Sequence, residues 1–121
     1  MTTLLDLMRE PMIVRSVDPD GPTVAADEVL EWGKPWANFR YARIELHRHD
    51  DGLWMWSRSF ELMERAATYR VGPKWGRFAK SREDALHYAI EDLLRDIAGA
   101  ATTQAQKAVA RQIITWTRGL S

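Results

Sequence analysis

Two runs of strand-forming residues, 39–48 and 53–62, flank Asp50-Asp51-Gly52, and this hairpin constrains the fold more than any other feature of the chain. A two-residue turn at Asp51-Gly52 would set Leu46 against Ser57 and Ile44 against Ser59, mixing apolar and polar faces. A three-residue loop with Gly52 in the left-handed region instead sets His49 opposite Leu53. Ala42, Ile44 and Leu46 then share a face with Trp54, Trp56 and Phe60. Arg43, Glu45 and His47 lie opposite with Met55, Ser57 and Ser59. Segregation of the two faces selects the three-residue loop. The Glu, Leu, Met, Arg and Ala content of 60–67 favours a helix by propensity, so the second strand is expected to end near Ser59.

Downstream, residues 68–71 and 77–79 read as short strands around Gly72-Pro73-Lys74-Trp75-Gly76. Ser81 is a strong N-cap, and Glu83 and Asp84 place negative charge on the first turn of a helix. Its apolar stripe is Leu86, Ala89, Ile90, Leu93 and Ile97, with His87, Glu91, Asp92 and Arg95 off it, and Gly99 is its expected stop. Thr102 or Thr103 caps a last helix whose stripe includes Ala105, Val109, Ile113 and Trp116. Upstream, 12–14 suits a short strand, Asp18-Pro19-Asp20-Gly21-Pro22 is a turn, 25–30 is a strand or a helical turn, and Gly33-Lys34-Pro35 breaks any regular element.

Strands clustered before helices predict an α+β fold, a small antiparallel sheet of three or more strands packed against two C-terminal helices, with residues 1–121 as a single domain. A length of 121 residues suits one core. The chain has no cysteine, which excludes a disulfide framework, a thiolate zinc site and a cysteine nucleophile. No export signal or membrane anchor is visible, so a cytoplasmic location is expected.

Catalysis is not expected. The chain holds no Gly-x-Ser-x-Gly elbow, no Gly-x-Gly-x-x-Gly, no phosphate loop and no His-Glu-x-x-His. His47 and His49 share a strand face beside Asp50 and Asp51, but a defined metal site needs further ligands in fixed geometry, so no metal or other cofactor is expected. No small-molecule substrate is evident either.

Charge points to binding instead. Net charge is zero, yet residues 65–82 hold six bases and no acid, 83–97 one base and five acids, and 98–121 three bases and no acid. Within the first of these, Arg65, Arg70, Lys74, Arg77, Lys80 and Arg82 are interleaved with Tyr69, Trp75 and Phe78, and cations beside aromatic platforms suit a nucleic-acid strand. A plainer reading competes: Arg82 pairs with Glu83 or Asp84, while Trp75 and Phe78 pin the loop to the core. Tryptophan is the second signal, with six residues of which Trp32, Trp36 and Trp75 fall at loops. Loop tryptophans beside arginines are the residue types that dominate protein interfaces. Of two docking candidates, the loop around Trp75 and the polar hairpin face with Arg43, Glu45 and His47, the loop is preferred. The expected contact residues are Arg70, Lys74, Trp75, Arg77, Lys80 and Arg82.

The run from Gly76 through Arg77, Phe78, Ala79, Lys80, Ser81, Arg82, Glu83, Asp84, Ala85 and Leu86 to Tyr88-Ala89-Ile90 resembles a strand-to-helix junction of small phage and plasmid proteins. It is also similar to the sheet-to-helix junction of HicB-type antitoxins. The resemblance implies a mobile-element origin, where small non-enzymatic proteins inhibit host-defence complexes in the manner of anti-CRISPR and anti-restriction proteins. No functional residue carries over from it. The expected function is therefore a non-enzymatic binding protein that occludes a protein complex or nucleoprotein. The alternative is a nucleic-acid-binding regulator that uses residues 65–82.

Overall fold

A computed structural model describes residues 12–14, 25–34, 40–49, 51–63, 65–67 and 77–120. Among the described residues six strands precede two helices: β1 (Ile13–Val14), β2 (Glu28–Lys34), β3 (Arg40–Arg48), β4 (Trp54–Leu62), β5 (Arg65–Ala67), β6 (Arg77–Phe78), α1 (Arg82–Ala100) and α2 (Gln104–Arg118). Strands β2 to β5 form an antiparallel sheet in chain order, as consecutive hairpins do, and β1 pairs antiparallel with β6. The fold is α+β, with both helices C-terminal to the sheet. No helix among the described residues is long and apolar enough to cross a membrane.

The central hairpin has the register that face segregation selects. Arg48 pairs with Trp54, Leu46 with Trp56 and Ala42 with Phe60, and the His49 amide donates to the Leu53 carbonyl at 2.7 Å. Gly52 closes the loop at φ +87°, a left-handed conformation that glycine adopts without a Cβ penalty. The strand continues past Ser59 to Leu62, against the helical propensity of this stretch. Phe60 and Leu62 are buried on the core side, and their burial outweighs a propensity difference of about 0.5 kcal/mol per residue. A two-residue connection, with Met63 at φ +58°, then turns the chain into β5. Residues 68–71, expected as a strand, lie outside the described residues.

Strand β2 runs straight through Gly33, which was expected to break it. Gly33 sits at φ +76°, and a Cβ there would drive into the backbone carbonyl of Arg40 on β3, so a glycine is required by the close approach of the two strands. Trp32 is consequently a strand residue rather than a loop residue.

Between the sheet and the helices lies the main core, formed by Ala42, Ile44, Leu46, Trp56, Phe60, Leu62, Leu86, Ala89, Leu93, Ile97, Val109 and Ile113 with smaller neighbours. A second cluster of Met55 and Phe78 sits on the other face, with Ile13, Ala26 and Leu53 against it. Ser81 caps α1 by accepting from the Asp84 amide at 3.1 Å. Helix α1 passes through Gly99, which was expected to stop it, and ends only at the Ala101 cap. An exposed glycine in a last turn costs only about 1 kcal/mol, too little to end the helix there. Thr103 forms a capping box with Gln106, whose Oε1 accepts from the Thr103 and Thr102 amides at 3.0 and 2.9 Å. That work buries Gln106 and rotates the inward stripe of α2 to Gln106, Val109, Ala110, Ile113 and Thr117. Ala105 is exposed and Trp116 only half-buried, so the stripe expected through those two residues is displaced.

Candidate functional site

Of the expected contact residues, Arg70, Lys74 and Trp75 lie outside the described residues, as does Trp36. Arg77 is exposed on β6, and Lys80 is exposed between β6 and α1. Arg82 is spent inside the fold. Its Nε donates to Glu28 Oε2 on β2 at 2.7 Å and its Nη2 to Glu28 Oε1, tying the start of α1 to the sheet. The guanidinium beside it holds the Glu28 carboxyl below the usual glutamate value. Contact with Glu83 is looser, at 3.9 Å.

The polar hairpin face is mostly closed. Glu45, Ser57 and Ser59 are buried, and Glu45 accepts from Arg43 Nη2 and from Ser57 Oγ, both at 3.3 Å. Tyr41 is buried beside them and donates from its hydroxyl to Glu31 at 2.7 Å; burial, aided by this bond, pushes its pKa up to about 12. His47 Nδ1 lies 3.1 Å from Asp27, while the His49 ring packs on Phe78 at 5.6 Å. The two imidazoles therefore have separate partners, and among the described residues no group of three or more His, Asp or Glu could hold a metal ion.

A different surface collects interface chemistry. The outer face of α2 and Trp32 of β2 bound an open groove of about 660 Å³, lined by Trp32, Ala108, Arg111, Gln112, Thr115 and Trp116. Each indole is half-buried, with one part packed on the core and the rest facing the groove, so both rings are held as firm platforms. A smaller groove of about 300 Å³ runs along the other side of α2, where Leu94, Ile97 and Ile114 are rimmed by Lys107 and Arg111. At about 100° per residue, Lys107, Arg111 and Arg118 fall within about 40° of one another, a cationic stripe along about 17 Å of helix. All three are exposed, and among the described residues none makes an ion pair.

This face was not singled out by the sequence reading, although its signal was present. Residues 98–121 hold three bases and no acid, and those bases are spaced by four and seven. Assigning Trp116 to the core stripe concealed the rest. Comparison with protein-family models, with curated proteins and with solved structures finds no match.

Proposed function

We propose that this chain is a non-enzymatic binding protein that occludes a surface of a macromolecular partner, of the kind mobile elements direct against host-defence complexes. The observation that carries the reading is the α2 groove, where two firmly seated indoles border an arginine and a cationic stripe. Tryptophan and arginine are the residue types most enriched among interface hot spots. The mobile-element setting rests on the resemblance of residues 76–90.

A mobility-shift series with mixed DNA and RNA across a range of salt concentrations tests this against the nucleic-acid alternative. The isolated chain is expected to give no tight shift. Tight binding that falls steeply with salt would replace the reading with a nucleic-acid regulator using the basic 65–82 segment, of which Arg65, Arg77 and Lys80 are exposed.

A further inference from the structure

We propose that the Trp32–Trp116 groove seats an acidic segment of a partner protein, one apolar side chain lodging between the indoles and a carboxylate meeting Arg111. The proposal rests on the binding-protein reading above and names the partner's chemistry.

Three observations narrow the occupant. The groove is lined by Ala108 and the two indoles, an apolar surface that favours an apolar anchor over a polar one. On its rim, Arg111 belongs to a stripe with Lys107 and Arg118, and residues 98–121 contain no acid, so the complementary group is an anion. Gln112 and Thr115 line the groove between cation and indole; the Thr115 hydroxyl donates to the Arg111 carbonyl at 3.0 Å, and the Gln112 amide is exposed to meet a main-chain group.

A nucleic-acid strand would meet the same cations, but the surface beyond them disfavours it. Beyond Arg111 the surface continues into the aliphatic groove of Leu94, Ile97 and Ile114, which suits leucine-like side chains and offers stacking to no base. A peptide with alternating acidic and apolar residues satisfies both grooves.

The test titrates the full chain, followed by tryptophan fluorescence and calorimetry, with the acetylated and amidated peptide Glu-Asp-Leu-Phe-Glu-Asp-Leu-Glu, with its counterpart in which every acid is lysine, and with oligothymidylate. The acidic peptide alone is expected to bind. Arg111→Glu, at an exposed position that leaves the core intact, is expected to weaken it by about thirtyfold and to gain binding of the lysine peptide. Trp116→Ala, checked for folding by circular dichroism, is expected to lose the acidic peptide as well. Equal binding of both peptides, no response to the acidic peptide at millimolar concentration, or binding of oligothymidylate that Arg111→Glu abolishes would each overturn the proposal. Cross-linking in cells separates it from the broader reading. A partner captured equally by the unmodified chain and by Arg111→Glu overturns the groove assignment and leaves the binding-protein reading standing, whereas a chain that captures no partner removes the reading itself.

Discussion

Asp92 offers the sharpest test of how the core is held together. It looks like a surface residue in the sequence of α1, yet its side chain is only 8% exposed. Its Oδ2 accepts from Trp56 Nε1 at 2.9 Å, its Oδ1 from Arg95 Nη2 at 2.6 Å, and Arg58 Nη1 stands 3.9 Å away. Asp92→Ala would strand the buried indole N–H, at a cost of about 1–3 kcal/mol, and would remove a carboxylate from between two guanidinium groups. Arg58 keeps its bond to Asp96 at 2.8 Å, and Arg95 is mostly in water, so neither adds much. The expected loss is about 2–3 kcal/mol, or about 8–12 °C in melting temperature for a chain of this size. Asp92→Asn retains an acceptor for the indole and should cost about 1 kcal/mol. Urea unfolding followed by far-ultraviolet circular dichroism reads both, provided the slope m is unchanged. The reasoning fails if Asp92→Ala shifts stability by less than about 0.5 kcal/mol, or if the two variants are equally damaged, since the indole acceptor would then carry nothing.

Two further outcomes follow from the sheet. The Glu28 carboxyl is held below its usual value of 4.5 by the Arg82 hydrogen bond, so the folded state binds its proton less readily than the unfolded chain; the resulting stability is complete above that value and is lost as pH falls below it through the folded-state value. Glu28→Gln should therefore flatten the acid limb of stability against pH, and an unchanged limb would show that the pair contributes nothing. Gly33→Ala should destabilise by about 2 kcal/mol or more in the same unfolding assay, because φ is positive and the added Cβ meets the Arg40 carbonyl; a neutral substitution would mean that β2 and β3 separate easily there.

What was legible in the sequence was what local chemistry determines. Gly52 and the segregation of the two faces set the hairpin register, though not the extension of the second strand past Ser59; Ser81 located one helix start, and Thr102 or Thr103 the other to within a residue. What was not legible depended on partners distant in sequence. Arg58 occupies the apolar face of β4 because Asp96 waits on α1, and Asp92 turns inward because Trp56 has an N–H to satisfy. Alternation along β4 puts Arg58 on that face but does not name its partner, and the helical period of α1 leaves Asp92 off the apolar stripe. The ends of the α2 stripe have the same origin: Val109 and Ile113 face inward as expected, but Gln106 is drawn inward by capping duty in place of Ala105, and Thr117 is buried where Trp116 was expected. The groove escaped notice because it joins Trp32 to Trp116 across more than eighty residues of chain.

These internal pairings also explain why a chain of zero net charge presents a positive helix. Arg82 is neutralised by Glu28, Arg58 by Asp96 and Arg43 by Glu45, so these three cations of the sheet and of the helix entry are balanced within the fold. Helix α2 packs through Val109, Ala110 and Ile113, and its only buried polar side chains, Gln106 and Thr117, are satisfied on α2 itself or at its cap. Nothing in that packing requires Lys107, Arg111 or Arg118. At Lys107 and Arg111 the fold would be equally well served by glutamine or glutamate, and at 116 by an aliphatic residue that covered the core; Arg118 alone has a use within the helix, lying at the negative end of its dipole. Residues that stability does not need, gathered on one face and of the types that anchor interfaces, are the reason to look for a partner there.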